Sequence, residues 1–258
     1  MKYKETVKVV SQTCLADGVY SMWLSTENIA GEAAAGQFIS LYCQDGSRIL
    51  PRPISICETD REKKAIRIVY RVVGKGTEEF SKYTEGQEIP VMGPLGNGFF
   101  KKNKSALLVA GGIGIPPMVQ LAKELKQEYG CKITIVAGYR DCKMFLKDDL
   151  SKYGDLYVAT EDGSFGTKGN VIDVIEENRL SADVIYSCGP TPMLRAVKAF
   201  GEKHNIETQI SLEEKMACGI GACLACVCKS RETDDHSHVH NKRICADGPV
   251  FYAGEVEI

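Results

Sequence analysis

The sequence predicts a multidomain protein of β plus α/β class. We expect an N-terminal antiparallel β-barrel, then an α/β domain with a parallel sheet, and then a small C-terminal domain. Three observations predict this fold. The first part of the chain consists of short segments in which apolar and polar residues alternate, and the middle part consists of apolar runs separated by amphipathic segments. The last part is rich in cysteine. The length of 258 residues allows two domains or more, because one domain commonly takes about 100–200 residues.

The predicted barrel strands are short segments in which apolar and polar residues alternate. They cover residues 4–14, 19–27, 36–43, 54–60 and 65–73. Turn signals such as Asp17-Gly18 separate them, and strands at this spacing without intervening helices are typical of an antiparallel barrel or sandwich. A short helix is predicted over 76–83, with Thr77 as its N-cap residue.

Two stretches of the predicted barrel carry residues that are suited to an anionic ligand. In RPIS (52–55), Arg52 offers a bidentate fork for phosphate and Ser55 offers a hydroxyl. In IVYRVVGKGT (68–77), a glycine turn leads into a helix start, where a diphosphate is commonly bound. Alone, RPIS is equally compatible with an edge strand that carries a surface arginine.

Apolar strands and amphipathic helices alternate in the middle of the chain. The strands are predicted over 105–112, 132–140, 156–160 and 183–190, and the helices over 112–130 and 191–205. Pro116 and Pro117 fit the first turn of the first helix, and Gly130 ends it. This alternation indicates βαβ units around a parallel sheet, which is the architecture of a nucleotide-binding domain.

Two turns of this domain are candidates for nucleotide contacts. GGIGIPP (111–117) places three glycines between a strand and a helix, and CGPTPM (188–193) follows another strand at the edge where parallel sheets bind ligands. The first turn is not a G-x-G-x-x-G fingerprint, and no acidic residue follows the second strand, so a standard Rossmann NAD site is disfavoured. The alternatives are a glycine turn needed only for packing and, at Cys188, a buried thiol.

The cysteine-rich stretch MACGIGACLACVC (216–228) has the spacing C-x4-C-x2-C, which is typical of plant-type 2Fe-2S loops. The predicted ligands are Cys218, Cys223, Cys226 and the downstream Cys245. Gly219 and Gly221 favour the cluster, because glycines let backbone N–H groups turn toward sulfur. A structural zinc site is the alternative, since zinc also binds C-x2-C pairs.

The C-x4-C-x2-C spacing fixes three ligands, and the fourth depends on which further cysteine can reach the cluster. Cys228 competes with Cys245, but a C-x-C pair on one short segment is poorly placed to reach across a two-iron core. The polar stretch between them carries His236, His238 and His240, which form either a metal site or, as we favour, a solvated loop.

Composition limits the location and partners of the protein. A net charge of −2 gives no reason to expect nucleic acid or an anionic membrane. No apolar stretch approaches the roughly 20 residues that span a bilayer, and the N-terminus lacks the apolar core of a signal peptide. Eleven cysteines then indicate a reducing cytoplasm, with the remaining seven expected mostly as buried thiols. These seven are Cys14, Cys43, Cys57, Cys131, Cys142, Cys188 and Cys228.

Five motifs in this order resemble the ferredoxin–NADP reductase superfamily, which pairs a flavin-binding antiparallel barrel with an α/β pyridine-nucleotide domain. They are RPIS, YRVVGKGT, GPLGNGF, GGIGIPPM and CGPTPM. With ACGIGACLACVC, the resemblance narrows to the electron-transfer subunits of type B dihydroorotate dehydrogenases, which act in pyrimidine synthesis. It covers essentially the whole chain and implies an FAD-binding barrel at 1–100, an NAD-binding domain at 101–210 and a 2Fe-2S domain at 211–258.

The resemblance also implies site residues. For FAD it implies Arg52, Pro53, Ile54, Ser55, Val69, Tyr70, Arg71, Gly76 and Thr77, with Arg52 toward the diphosphate and Ser55 near flavin N5. For NAD(H) it implies Gly111, Gly112, Gly114, Cys188 and Gly189. For the cluster it implies Cys218, Cys223, Cys226 and Cys245. It implies no catalytic acid or base in this chain.

In the implied reaction, FMN in a separate catalytic subunit supplies electrons, which pass through the 2Fe-2S cluster and FAD to NAD⁺. Dihydroorotate oxidation would then need that partner, in a heterotetramer of two plus two subunits. Three alternatives stay open: a flavin and iron–sulfur subunit of a sulfide dehydrogenase or hydrogenase complex, a free-standing flavin reductase, and a zinc-stapled nucleotide sensor. The resemblance implies NADH, although Arg140 after the second strand is placed to meet the 2′-phosphate of NADPH, so the sequence alone does not decide between the two.

Overall fold

The computed structural model describes residues 1–233 and 238–258. Its N-terminal part is a closed barrel of six antiparallel strands. These strands are β1 (Tyr3–Ala16), β2 (Val19–Ser25), β3 (Phe38–Leu41), β4 (Arg52–Asp60), β5 (Ala65–Arg71) and β6 (Glu88–Leu95). Around the barrel they follow the order β1, β2, β5, β4, β3, β6. The predicted N-terminal barrel is confirmed.

The barrel is filled by alternate residues of its strands. Met22 and Leu24 of β2 and Ile66 and Ile68 of β5 are all fully buried, as the two-residue period of a strand requires. Two short helices, α1 (Glu27–Glu32) and α2 (Lys75–Phe80), add further apolar side chains to the same core. Removing one such aliphatic side chain would typically cost about 2–5 kcal/mol.

Two local predictions for the barrel are wrong. Helix α2 begins after Gly74, and Thr77 is the third residue of the helix rather than its N-cap. The Thr77 Oγ1 atom instead accepts hydrogen bonds from the backbone N–H groups of Val73 (3.0 Å) and Gly74 (3.2 Å). Strand β6 is absent from the predicted strands, because Pro90, Gly93 and Pro94 interrupt its alternating pattern.

The second part is the predicted α/β domain, but its sheet has seven strands, of which the sequence predicts four. Its strands, in sheet order, are β10 (Thr167–Lys168), β9 (Asp155–Thr160), β8 (Ile133–Tyr139), β7 (Ala106–Gly111), β11 (Val184–Cys188), β12 (Glu207–Ser211) and β15 (Val250–Tyr252). The four predicted strands are β7, β8, β9 and β11. Its helices are α3 (Pro116–Tyr129), α4 (Lys147–Ser151), α5 (Val171–Glu177) and α6 (Thr191–His204). All neighbouring strands are parallel except β12 and β15.

The helices cover both faces of this sheet. Leu108 and Ala110 of β7 pack in the core that contains α3, while Leu107 and Val109 pack in the core that contains α5 and α6. Helix α3 begins with two prolines and ends at Gly130 in the left-handed conformation (φ 62°), as the sequence predicts. Among the described residues, no helix is both long and apolar enough to cross a membrane.

The C-terminal segment is packed into the other two domains. It contains a small hairpin of β13 (Val227–Lys229) and β14 (Asn241–Arg243), and its last strand, β15, pairs with the nucleotide-domain sheet. One apolar core joins Phe38 and Leu95 of the barrel to Ile210 of β12 and to Ile244 of the segment. Three regions of the sequence therefore share a single core at this point.

A buried polar cluster fixes the barrel against helix α3. The Glu124 carboxylate, in a residue that is 5 % exposed, accepts the backbone N–H of Ala35 (3.2 Å) and the Gln120 side chain (2.8 Å). It also pairs with Lys101 Nζ at 3.0 Å. Gln120 in turn accepts the Thr59 N–H at 2.8 Å. We call these five residues the interdomain clasp.

The seven remaining cysteines are less uniformly buried than predicted. Cys57, Cys131 and Cys188 are buried, but Cys14 and Cys142 are exposed. Cys14 lies on an exposed stretch of β1, where its Sγ donates to the carbonyl of a residue two positions along, and Cys142 lies in the loop after β8. Apolar runs therefore overestimate cysteine burial at strand faces and loops.

Candidate functional site

A cavity of about 340 Å³ opens between the barrel and the rest of the chain. Its barrel wall gathers eight of the residues that the family resemblance assigns to FAD. These are Arg52, Pro53, Ile54, Ser55, Val69, Tyr70, Arg71 and Thr77. Strands β4 and β5 bring them to one end of the barrel, because the strands are antiparallel neighbours with Ile56 opposite Ile68. The facing wall includes Ile113 and Pro249.

The ninth residue, Gly76, lies against the side chain of Arg52. A Cβ atom at Gly76 would lie 2.2 Å from Arg52 Nε, so only glycine leaves room for the guanidinium here. The Arg52 side chain also donates to the Leu50 carbonyl. The absence of a side chain at Gly76 therefore lets the Arg52 guanidinium lie at the cavity. Its parallel N–H groups fit the diphosphate of a dinucleotide.

The Tyr70 hydroxyl is hydrogen-bonded to Gln12, a residue that the sequence analysis does not identify. The Tyr70 hydroxyl donates to Gln12 Oε1 at 2.8 Å, and the Gln12 amide donates to the Phe80 and Tyr83 carbonyls at 3.1 and 2.9 Å. Burial raises the pKa of Tyr70. The hydroxyl is thus occupied inside the barrel, and Tyr70 presents its ring, rather than an acid group, to the cavity.

A larger cleft of about 780 Å³ lies at the carboxyl ends of the parallel strands β7, β8 and β11. Gly111, Gly112, Gly114 and Gly189 all line it, so the two predicted nucleotide turns meet there. A Cβ atom at Gly114 would lie 2.4 Å from the carbonyl oxygen of Cys188, which shows that the turns touch through their backbones. Exposed backbone at such an edge fits a nucleotide diphosphate.

Cys188 lies beneath the cleft and is 1 % exposed. Burial raises the pKa of its thiol, with a smaller contribution from the negative charge of Glu213. The side chain is therefore a neutral, buried thiol at the end of β11, as in the alternative given for Cys188 in the sequence analysis. Its neighbour Gly189 lines the cleft.

The cavity and the cleft lie next to each other. Arg71, Ile113 and Glu213 line both of them. Glu213 is not among the predicted site residues, although its position directly after β12, at the ligand edge of the sheet, is a usable signal. Its side chain is open to the cavity, while the surrounding walls raise the pKa of the carboxyl by burial. A ligand in the cavity and a ligand in the cleft would meet beside this carboxyl.

The cysteine loop turns backbone N–H groups toward its sulfur atoms. Cys218 Sγ accepts from Ile220 (3.5 Å) and Ala222 (3.3 Å), and Cys245 Sγ accepts from Gly221 (3.1 Å). Gly221 adopts φ 87°, a conformation that favours glycine, as expected from the sequence. Such hydrogen bonds stabilise negative charge on thiolates and are typical of iron–sulfur sites.

The four predicted ligands form two pairs. Cys218 is hydrogen-bonded to Cys223, and Cys245 to Cys226. Partial burial acts to raise the pKa of Cys218, but the hydrogen bonds from Ile220, Cys223 and Ala222 lower it to about 6. Within residues 1–233 and 238–258, no group of three or more His, Cys, Asp or Glu side chains converges on one metal ion. Two adjoining pairs fit a two-iron core, which takes two thiolates per iron.

Arg243 and the barrel hold the loop in place. Arg243 Nη1 donates to the Gly221 carbonyl (3.2 Å), and its other nitrogens pair with Asp247. A Cβ atom at Gly219 would lie 3.0 Å from Ser40 Oγ of β3, so the loop lies directly on the barrel. The cysteine pairs are thus positioned against the same barrel that forms the 340 Å³ cavity.

Cys228 and the histidines lie apart from these contacts. Cys228 is half-buried in β13 opposite Lys242, and burial raises its pKa to about 11. His240 Nδ1 is 3.1 Å from the Arg231 carbonyl, while His238 is exposed. His236 lies outside the described residues.

Comparisons with known proteins match this architecture. The family profile "iron-sulfur cluster binding domain of dihydroorotate dehydrogenase B" matches residues 213–257, and the profile "oxidoreductase NAD-binding domain" matches residues 108–199. The dihydroorotate dehydrogenase B (NAD(+)) electron transfer subunit of Listeria monocytogenes is 46% identical over 258 residues, with 98% of each chain covered. The subunits of the same name from Fusobacterium nucleatum and Bacillus velezensis are 44% identical (98% of each chain) and 43% identical (99% of each chain).

Solved structures of reductases share the fold of this chain. The structure of an NADH-dependent reduced ferredoxin–NADP oxidoreductase, described with flavin-based electron bifurcation, aligns with a TM-score of 0.88 and 31% identity, covering 98% of this chain and 90% of the other. A ferredoxin reductase of carbazole 1,9a-dioxygenase shares the fold (TM-score 0.70, 20% identity, 80% and 67% covered).

The barrel, the nucleotide sheet and the cysteine loop define an oxidoreductase with a ferredoxin reductase-like fold that uses FAD, NAD and an iron–sulfur cluster. The 46% identity to the Listeria monocytogenes subunit, over 98% of each chain, identifies the family within this class. The chain belongs to the family of dihydroorotate dehydrogenase B electron transfer subunits.

Proposed function

We propose that this protein passes electrons between the FMN of a separate dihydroorotate-oxidising subunit and NAD⁺, by way of a 2Fe-2S cluster and FAD. The observation that carries the proposal is that the three sites adjoin one another. The cysteine loop lies on the barrel, the barrel forms the 340 Å³ cavity, and the cavity shares three lining residues with the nucleotide cleft. The cofactors supply the electron and hydride chemistry, and the protein's task is to hold them in sequence.

We assign FAD to the nine barrel residues named above and the nucleotide to the backbone of Gly111, Gly112, Gly114 and Gly189, with Cys188 as support beneath. The cluster ligands in this proposal are Cys218, Cys223, Cys226 and Cys245. The proposed domain limits are 1–100, 101–210 and 211–258. Strand β15 belongs to the third segment in sequence but pairs with β12 in the sheet of the middle domain.

The partner would contact the face that carries the cysteine loop. Cys223 is exposed there, between Ile220 and Leu224, whose side chains are 42 % and 46 % exposed. Apolar side chains around an exposed ligand suit a surface that a second subunit covers, and a short path for electrons requires that the cluster lie near the partner's FMN. A heterotetramer of two plus two subunits and a cytoplasmic location belong to the same proposal.

A second function has one specific observation in its favour. The likeness to the NADH-dependent reduced ferredoxin–NADP oxidoreductase also spans 98% of this chain. A flavin and iron–sulfur subunit of another NAD(P)H-linked complex would share all three sites. Purification of the native complex separates the two functions, since dihydroorotate turnover by the co-purified partner supports only the first.

The isolated protein should show flavin absorption bands with a red-brown iron–sulfur shoulder, and it should reduce an artificial dye with NADH. It should not oxidise dihydroorotate until the FMN subunit is added, because that site lies on the other chain. The measurements are an absorption spectrum, iron and sulfide analysis, and dye-reduction assays with NADH and NADPH. A colourless zinc protein, or robust dihydroorotate oxidation by this chain alone, would overturn the proposal.

The substitution Gly76→Ala should weaken FAD binding by about 10–100-fold, because its Cβ displaces the Arg52 guanidinium and a charge-assisted hydrogen bond contributes about 1.5–3 kcal/mol. The matched control is Gly74→Ala, since Gly74 is extended and has open space around its Cβ position. The measurement is titration of the apoprotein with FAD by flavin fluorescence. Equal affinity in the two variants would contradict the role assigned to Arg52.

A further inference from the structure

The carboxyl of Glu213 stands where the FAD cavity and the nucleotide cleft join. Strand β12 carries it there: β12 lies next to β11, and the chain leaves the sheet at Ser211 directly toward the opening between the two spaces. Glu213 lines both spaces, and so do Arg71 from the barrel and Ile113 from the glycine turn. Of these three residues, only Glu213 carries a carboxyl, a group that can both hold and release a proton.

Within the described ranges, the Glu213 carboxylate has no hydrogen-bond or ion-pair partner. The charged side chains that line the two spaces with it are Asp17, Arg52, Arg71, Arg140, Asp141, Lys143, Glu161 and the neighbouring Glu214, and the other titratable groups are Tyr70, Tyr139 and the buried Cys188. None of them pairs with Glu213 at 4.0 Å or less in the described part of the chain. The Glu213 side chain is open to the cavity, and the protein around it raises the pKa of its carboxyl by burial, which favours the neutral, proton-bearing form.

The proposed function creates a need for such a proton. Electrons from the cluster arrive singly and bring no hydrogen, whereas a hydride to NAD⁺ carries one. We propose that the Glu213 carboxyl delivers the proton that FAD takes up at N5 when it is reduced from the cluster side. This inference rests on the proposed function.

The step balances in atoms and charge. Oxidised flavin, two electrons and one proton from Glu213 give the reduced flavin anion with a new N–H bond at N5. The reduced flavin then transfers that hydrogen with both electrons to NAD⁺, which regenerates oxidised flavin and forms NADH. The Glu213 carboxylate regains a proton from solvent through the open cleft. In the reverse direction Glu213 accepts the N5 proton as electrons leave for the cluster.

The test compares two ways of reducing the flavin in the holoprotein by stopped flow. Methyl viologen radical supplies electrons without hydrogen, and saturating NADH supplies hydride. In Glu213→Gln the ratio of the first rate to the second should fall about 100-fold, which is the usual size of a general-acid contribution. In the wild-type protein the first rate should fall as pH rises through the pKa of Glu213, and in Glu213→Gln it should lose this dependence.

An equilibrium measurement accompanies the kinetics. Infrared titration of the oxidised holoprotein should show a carboxylic C=O band that is absent in Glu213→Gln and present in Glu214→Gln. Its midpoint should match the pH at which electron uptake slows. Glu213→Asp, which keeps a carboxyl, should retain a pH-dependent rate, and Glu214→Gln should behave as wild type.

Two results would overturn the proposal: an unchanged rate ratio and pH profile in Glu213→Gln, or an infrared midpoint that does not match the kinetic one. Failure of the proposed function looks different, because the wild-type protein itself would then lack flavin bleaching by NADH. Flavin content and thermal midpoint of each variant establish that it is folded.

Discussion

Replacement of Cys245 by serine is expected to abolish the stable 2Fe-2S cluster while leaving the bound FAD. Cys245 is the only predicted ligand outside the loop, and its sulfur accepts the Gly221 N–H at 3.1 Å and contacts Cys226. Without it, one iron keeps a single thiolate, so bound iron and sulfide should fall to a small fraction of the wild-type content. The measurements are iron and sulfide per FAD and the low-temperature electron paramagnetic resonance signal of the reduced protein.

Cys228→Ser is the matched control, because it removes a cysteine from the same segment. Cys228 pairs with Lys242 across β13 and β14 and packs in the apolar core. We expect a normal cluster in this variant. A normal cluster in Cys245→Ser together with its loss in Cys228→Ser would reverse the assignment of the fourth ligand.

Replacement of Glu124 by alanine should lower the free energy of unfolding by about 3 kcal/mol, since it leaves the buried backbone N–H of Ala35 without its acceptor and removes one of the two carboxylates that pair with the partly buried Lys101. For a chain of this size the thermal midpoint should fall by roughly 10 °C. Hydride transfer from NADH should slow as well, because the interdomain clasp sets the angle between the FAD cavity and the nucleotide cleft. Differential scanning calorimetry and stopped-flow bleaching of the flavin measure the two effects.

Glu128→Ala removes the second carboxylate that pairs with Lys101, but this residue is on the surface, with a side chain that is 41 % exposed. A surface pair of this kind contributes about 0–1 kcal/mol, so the control should change neither measurement appreciably. If Glu124→Ala were no more destabilised than Glu128→Ala, the clasp would not stabilise the arrangement of the domains.

Much of this organisation could be predicted from sequence because its signals are local. The alternation of β2 and β5, the prolines at the start of α3, and the C-x4-C-x2-C spacing each depend on neighbouring residues. The glycine turns at 111–114 and 188–189 could be placed at a ligand edge for the same reason: each directly follows a strand whose apolar run is continuous.

The features that escaped prediction depend on contacts between distant residues. Gln12 meets Tyr70 across 58 positions, and Glu124 meets Ala35 across 89. Glu213 lines both the cavity and the cleft, and the sequence does not show that these two spaces lie next to each other. Strand β15 has three residues and no periodic signal, so only its pairing with β12 identifies it.

The pairing of β15 with β12 also bears on how the protein is made. A ribosome releases β15 after every other described strand, so the nucleotide-domain sheet keeps an open edge until then. Cys245 emerges just before β15, and the shared core that holds Cys226 and Ile244 needs Phe251 from β15 itself. We therefore expect the segment that carries Cys226 and Cys245 to reach its final packing only after β15 has joined the sheet, and we expect a graft of this segment onto another reductase to need that edge strand as well.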